Sequence, residues 1–224
     1  MGRVIFITGT DTGIGKTAIT ALLLAHAQSE TIQVRALKPF STGGRDDEAL
    51  LAALQSNTFP INFFHYAEAI APWAAARLRN QSVKVTEAVS RIAAHLDQCD
   101  LLLVEGAGGL LTPLGERFNA ADLISALSAE AIVVAANRLG VLNHTLLTVE
   151  ALRNRSEKNV KIALVEQAAA DSSRKTNEAN LQELLPDVSL TAIPFLPNYV
   201  SDAQFIRQAS RQLAPELSGL LARS

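Results

Sequence analysis

Apolar residues in this chain come in short continuous runs separated by longer stretches of helical periodicity. The runs Val4–Ile7, Val34–Leu37, Leu101–Val104, Ala131–Ala135, Lys161–Val165 and Leu190–Ile193 have strand length. Leu101-Leu102-Leu103-Val104 and Ala131-Ile132-Val133-Val134 do not alternate with polar residues. That predicts strands buried on both faces, as in a parallel sheet. Helices are expected over 16–28, 46–55, 85–97, 119–129, 143–153, 176–185 and 201–221, with Asp46 and Asn119 as N-caps. Regular alternation of strand and helix predicts an α/β fold, doubly wound, with a mainly parallel sheet and helices on both faces. Neither a linker nor a repeat nor a low-complexity stretch interrupts the pattern, so a single domain over 1–224 is expected.

The first strand hands over to the first helix through Gly9-Thr10-Asp11-Thr12-Gly13-Ile14-Gly15-Lys16-Thr17. Strand, glycine-rich loop, Lys-Thr and helix is the layout of a phosphate-binding loop (P-loop) of the nucleoside triphosphate hydrolase type. Successive backbone N–H groups converge on an anion there, and the helix N-terminus adds positive potential. Lys16 is expected to reach the β- and γ-phosphates and the Thr17 hydroxyl to coordinate Mg²⁺. The common pattern places four residues between its glycines, whereas Gly9 and Gly15 enclose five. The bland alternative is a glycine-rich turn that binds nothing.

Ligands of doubly wound sheets bind beyond the carboxyl ends of the strands. Gly9–Thr17, Lys38–Asp47, Glu105–Gly109 and Asn137–Asn143 all follow expected strands, so they should cluster at one edge. Glu105 ends an apolar run, where a carboxylate can hold Mg²⁺ directly or through water; capping or ion pairing is the alternative. Gly106, Gly108 and Gly109 either let backbone approach a ligand or simply turn the chain. Lys38, just past a buried strand, needs a partner: a phosphate or carboxylate ligand, or a salt bridge to Asp46 or Asp47. Thr42 offers a hydroxyl, and either aspartate a second metal carboxylate. Gly140 precedes a helix start able to face an anion, although Asn143 as an ordinary N-cap explains the same residues. His144 reads as a helix-surface or packed histidine, and Trp73 and the phenylalanines as core or interface packing. Cys99 lacks a neighbouring histidine motif, so a nucleophilic role is not expected.

An apolar content of 48% excludes a disordered chain, and a formal charge of −2 argues against a general nucleic-acid binder. A single cysteine rules out an intrachain disulfide and fits a reducing compartment. No apolar stretch is long enough to span a bilayer, and residues 1–7 lack a signal-peptide core, so a soluble cytoplasmic protein with no membrane partner is expected.

Taken together, Phe6–Thr17, Lys38-Pro39, Val104–Gly109 with Thr112-Pro113, Leu139-Gly140 and Asn143-His144 resemble the dethiobiotin synthetase family in order and rough spacing over residues 4 to about 152. The long phosphate loop is that family's own form. The resemblance implies an ATP- and Mg²⁺-dependent ligase that carboxylates a diamine with CO₂ and closes a ureido ring. Carried over by position, it implies catalytic roles for Lys38 and Lys16. ATP binding falls to Asp11, Thr12, Gly13, Ile14, Gly15, Lys16, Thr17, Glu105, Gln167, Pro194, Leu196 and Pro197. Thr12, Lys38, Thr42, Gly108, Gly140, Val141, Leu142 and Asn143 are implied in substrate binding, and Thr17, Asp47 and Glu105 in metal binding. In the family the segment from Gly140 to Asn143 serves the partner subunit's site, which implies a homodimer.

The chain departs from the family's pattern twice. Ala71-Pro72-Trp73 stands where Ser/Ala-Pro-His is usual, a change expected to affect packing. Glu166-Gln167 stands where an Asn-Asp pair commonly reads adenine, which leaves Gln167 as the candidate base contact. Three other readings share the nucleotide core. A partitioning-type ATPase typically carries a second lysine at the start of the loop, where this chain has Asp11. A kinase or another amide-forming ligase is the second, and a degenerate nucleotide-binding module the third.

Overall fold

The computed structural model describes residues 2–55, 59–155, 159–169, 171–196 and 202–223. Its strands are β1 (Arg3–Gly9), β2 (Val34–Leu37), β3 (Phe40–Thr42), β4 (Phe64–Tyr66), β5 (Leu101–Glu105), β6 (Pro113–Gly115), β7 (Phe118–Asn119), β8 (Glu130–Ala136), β9 (Val160–Val165) and β10 (Ser189–Ile193). Its helices are α1 (Lys16–Ser29), α2 (Asp46–Gln55), α3 (Pro72–Leu78), α4 (Val85–Ala93), α5 (Ala120–Ala126), α6 (Val141–Arg153), α7 (Arg174–Leu184), α8 (Ala203–Gln212) and α9 (Ala214–Leu221). All six expected strands form one six-stranded sheet in the order β10-β9-β8-β1-β5-β2. Every neighbouring pair in it is parallel. The continuous runs account for this: β5 and the last six residues of β8 are buried along their whole length, with helices covering both faces.

Strand β1 lies between β5 and β8, and the chain winds away from it in both directions. That is the switch point where ligands of such sheets bind, and the glycine-rich loop leaves from it. Helix α1 is buried on every side, with residues 16–27 all buried. It packs against β1, β2 and β5 on one side and α2, α8 and α9 on the other. A helix enclosed in this way holds the phosphate loop on a rigid base.

Several expected elements change at their ends. Asn119 does cap α5: its Oδ1 accepts from Ala121 N at 2.9 Å and Asp122 N at 3.3 Å, and Asp122 Oδ2 accepts from Asn119 N. Asp46 is the first helical residue of α2 rather than its cap. The helix expected over 201–221 is two, because Pro215 at the start of α9 has no N–H to continue the ladder. The helix expected over 85–97 ends at Ala93 and is followed by a 3₁₀ turn at Leu96–Gln98. Among the described residues no helix is long and apolar enough to cross a membrane.

Candidate active site

The backbone at the loop requires glycine. Gly13 and Gly15 have φ of 71° and 100°, in the left-handed region. A Cβ at Gly9 would sit 2.7 Å from the Ile14 side chain. Hydrogen bonds tie the neighbouring loops to this one. Thr10 N donates to Val134 O, Gly106 N to Ile7 O and Leu110 N to Gly9 O, at 2.9–3.1 Å. The turn from Gly106 to Leu110 is thereby fixed beside the phosphate loop. Gly108 is itself left-handed at φ 69°, and a Cβ there would meet Thr112 Oγ1 at 2.4 Å.

Four strand ends converge on a cavity of about 180 Å³. Its walls include Thr12, Gly13, Gly15, Lys16, Thr17, Lys38, Ser41, Thr42, Asp47, Glu105 and Gly108. Glu105 is the hub and is 1% exposed. Its Oε1 accepts from Thr17 Oγ1 at 2.7 Å and from Lys38 Nζ at 2.8 Å. Its Oε2 is buried without a partner. Lys38 Nζ also donates to Asp47 Oδ2. The sequence left two ion-pair partners open for Lys38, and the fold selects Asp47, with Glu105 as a second carboxylate.

The two lysines are driven in opposite directions. Burial lowers the Lys16 pKa to about 8, against a partial offset from Glu105. Its Nζ donates to the Asp11 carbonyl at 2.7 Å, and among the described residues no carboxylate lies within ion-pair distance of it. Burial also opposes the charge on Lys38, but contact with both Glu105 and Asp47 outweighs it and holds that pKa above the ordinary lysine value. Lys38 is therefore a fixed cation, whereas Lys16 is a cation short of anions.

Among the described residues no cluster of three or more His, Cys, Asp or Glu is arranged to hold a metal ion. An unpartnered carboxylate oxygen beside a hydroxyl and a half-exposed aspartate fits a different kind of site. Mg²⁺ takes one or two protein oxygens and completes its shell with phosphates and water. Thr17, Glu105 and Asp47 are the residues that could supply such oxygens.

A second, smaller cavity of about 50 Å³ shares Gly13 and Gly15 with the first. Ile14, Val165, Glu166, Gln167, Pro194 and Leu196 also line it. Gln167 Nε2 donates to Val165 O at 3.0 Å and to Glu166 O at 3.3 Å. Glu166 turns away, accepting from Asn137 Nδ2 at 2.7 Å with Arg174 Nε at 3.4 Å. Pro197 lies outside the described residues.

Gly140, Val141, Leu142 and Asn143 do not line either cavity. Gly140, at φ 93°, is the N-cap of α6, so Asn143 is not the cap. Asn143 and His144 are exposed and Leu139 is 79% exposed. Asp11 Oδ2 lies 3.7 Å from Arg138, which places this segment beside the loop but outside the phosphate cavity.

Size does not single out the chemistry. A larger concavity, about 590 Å³, is walled by residues such as Trp73, Val83, Leu111, Pro113 and Phe118. Trp73 is thus half-exposed, with the Arg77 guanidinium 4.8 Å over its ring, rather than a core residue. Cys99 is buried, and burial raises its thiol pKa, in keeping with an inert side chain.

Sequence reasoning missed the layer behind Lys38. Ser41, Glu48, Asn62 and His65 bond to one another there, brought together by the short β3–β4 pair. Strands of three residues carry no readable period, so the sequence held no signal for this layer.

Comparisons with known proteins agree with this geometry. A family model described as an AAA domain matches residues 3–203. Among solved structures, a ParA family ATPase from Chlorobium tepidum TLS superposes with a TM-score of 0.60 at 15% identity, covering 96% of this chain and 93% of that one. The MinD cell division protein of Aquifex aeolicus gives 0.60 at 14%, covering 96% and 98%. At such identities the likeness establishes the P-loop α/β fold alone. An ATP-dependent dethiobiotin synthetase from Mycobacterium avium (strain 104) is 46% identical over 154 residues, 66% of this chain and 68% of the relative. Another from Anaeromyxobacter sp. (strain Fw109-5) is 35% identical over 213 residues, 92% of this chain and 96% of the relative. With that near-complete match joined to the P-loop fold, this chain belongs to the ATP-dependent dethiobiotin synthetase family and is, like its relatives, a ligase.

Proposed function

We propose that this protein carboxylates 7,8-diaminononanoate with CO₂ and closes the ureido ring of dethiobiotin at the expense of ATP. The observation that carries the reading is Lys38, a buried cation held by Glu105 and Asp47 on the wall of the cavity that begins at the phosphate loop. A hydrolase needs to place water there; a ligase needs a fixed positive charge for a carboxylate-like nucleophile.

One amine of the substrate adds to CO₂, forming an N–C bond and losing a proton to give a carbamate. A carbamate oxygen attacks the γ-phosphorus, and the bond to the β-phosphate oxygen breaks to release ADP. The second amine attacks the carbamate carbon of the resulting mixed anhydride and gives up a proton, the C–O bond breaks so that phosphate leaves with that proton, and the ring closes. No step requires an enzyme nucleophile, so positioning and charge supply the catalysis. Lys38 holds the carbamate and the γ-phosphate. Lys16 neutralises the β- and γ-phosphates, assisted by backbone N–H groups of Thr12 to Thr17. Thr12, Thr42 and Gly108 line the substrate side of the cavity. Thr17, Asp47 and Glu105 would hold Mg²⁺, which would neutralise charge on the phosphates. Gln167, Pro194 and Leu196 flank the base. The helix start from Gly140 to Asn143 grips the substrate's carboxylate tail in the site of a second copy, giving a homodimer of single-domain subunits in the cytoplasm.

The test is phosphate release with ATP, Mg²⁺ and bicarbonate, with and without the diamine. Release stimulated only by the diamine, with dethiobiotin as product, is the expected result. Stimulation by a hydroxyl or carboxylate compound instead overturns the reading in favour of a kinase or another ligase.

A further inference from the structure

At the cavity wall, strands β3 and β4 pair in parallel with Phe40 opposite Phe64 and Ser41 opposite His65. The phenylalanine rings stack at 4.6 Å. Because side chains alternate along a strand, Ser41 and His65 share the other face, against α2. There Glu48, a buried carboxylate, accepts from Ser41 Oγ. His65 Nδ1 lies 3.0 Å from Ser41 Oγ and 3.7 Å from Glu48 Oε1. Asn62 Nδ2 donates to Ser41 Oγ at 3.0 Å and to the Lys38 carbonyl at 2.7 Å.

Proton counting fixes the roles. The Ser41 hydroxyl has one proton and two lone pairs. Its proton goes to Glu48, so Asn62 and His65 must both donate, and His65 carries a proton on Nδ1. The hydroxyl is saturated and oriented, with no capacity left for a nucleophilic role. Lys38 is clamped from the same side: its N–H donates to Ile61 O at 2.8 Å and its carbonyl accepts from Asn62. Asp47, the aspartate that meets Lys38, is the residue before Glu48 on α2.

We propose that Glu48 is a positioning residue of the ligase site: through Ser41, His65 and Asn62 it docks the first turn of α2 onto the Lys38 segment, and so sets where the Asp47 carboxylate stands relative to Lys38 and the metal. The role rests on the metal assignment of Asp47 made above. Besides Ser41 and His65, Glu48 meets an exposed partner, the Arg45 guanidinium at 3.4 Å from its Oε2, so its buried hydrogen bond is the one to Ser41. The bond it makes spans the two elements whose spacing the site depends on. Only its acceptor oxygen is needed, so an amide should replace it and a methyl should not.

The experiment compares Glu48→Ala and Glu48→Gln with the wild type by calorimetric titration of ATP, with Mg²⁺ and with EDTA, alongside steady-state kinetics with the diamine. Glu48→Ala should lose about tenfold in the affinity gain that Mg²⁺ confers and about tenfold in kcat. Nucleotide affinity in EDTA and KM for the diamine should stay within about twofold. Glu48→Gln should recover most of both losses. A folded Glu48→Ala protein with the wild-type Mg²⁺ gain and kcat overturns the proposal, and so does a Glu48→Gln protein no better than the alanine variant. If Glu48→Ala does not fold, Ser41→Ala is judged by the same two readouts, with the same expected losses and the same overturning result. A wild type that binds Mg²⁺-ATP but shows no diamine-stimulated turnover rejects the ligase reading instead, and the calorimetric comparison still decides the role of Glu48.

Discussion

The two cavities that meet at Gly13 and Gly15 are built by opposite means. The phosphate side holds four charged side chains in mutual contact or close approach, with Glu105 at their centre. The other side is small and mostly apolar, and Gln167 and Glu166 are the polar side chains on its wall. Charge discriminates strongly and at a distance, because burial raises its effect. A single amide discriminates by about one hydrogen bond. Under the proposed function, the phosphate end would govern whether the reaction runs, and the other end which nucleotide drives it. Substitutions at the two ends should differ in size accordingly.

The largest expected effect is at Lys38. Two opposite charges at ~4 Å attract by roughly 4 kcal/mol at an effective dielectric near 20, so Lys38→Ala should slow turnover by a factor of a hundred or more. The substitution also leaves the buried Glu105 without its cation, a loss of about 3–5 kcal/mol for a buried pair. The variant should melt lower than wild type and regain part of that loss in Mg²⁺, which restores a positive charge beside Glu105. Phosphate release and thermal melts with and without Mg²⁺ check both halves. Near-wild-type ring closure would remove Lys38 from the reaction.

Glu105→Gln comes next. Its amide oxygen still accepts from Thr17 and Lys38, so the local bonds are kept while the charge goes. The Mg²⁺-dependent part of ATP affinity should fall by about 10–100-fold, with affinity in EDTA unchanged or improved. Equal losses with and without Mg²⁺ would show that Glu105 orders the loop rather than holding the metal.

Lys16 gives a pH signature instead of a simple loss. Its pKa of about 8 lies below the ordinary 10.5 because of burial. Between those values the unfolded chain binds the extra proton. The Lys16 contribution to stability therefore rises with pH from about 8 to 10.5, and below 8 the buried ammonium is a constant cost. A triphosphate beside it reverses the shift. Metal-free ATP should bind with proton uptake above pH 8, and its affinity should weaken as pH rises through that value. Calorimetry at pH 8.5 in buffers of different ionisation enthalpy measures the uptake; Lys16→Met should abolish it. Buffer-independent heats in the wild type would refute the assignment.

The same contrast explains what could be read from the sequence. The inner strands β1, β5, β8 and β9 were legible because burial on both faces writes a nearly continuous apolar run, whereas the edge strands β2 and β10 are only partly buried and carry a weaker signal. The pairs β3–β4 and β6–β7 were not, since two or three residues carry no period. Lys16 and Thr17 stand in one contiguous motif, and Lys38 and Glu105 stand at strand ends where the sheet topology gathers them. The choice between Asp46 and Asp47 needed the orientation of α2 from its first turn. Glu48 and His65 stand in no motif, because their meeting depends on tertiary pairing alone.

The smallest effect, and the one that probes the other end, is at Gln167. Its Nε2 is committed to two backbone carbonyls, which fixes the amide orientation and leaves Oε1 as the group it can offer. An acceptor suits the exocyclic amine of adenine and faces the guanine carbonyl without a proton between them. One neutral hydrogen bond contributes about 0.5–1.5 kcal/mol, so Gln167→Ala should raise KM for ATP by roughly 2–10-fold. Its kcat at saturating ATP should not change, because the contact is the same in the ground and transition states. The preference for ATP over GTP should narrow by a similar factor. A kcat loss would mean that the base end also positions the phosphates, and the division between the two cavities would then fail.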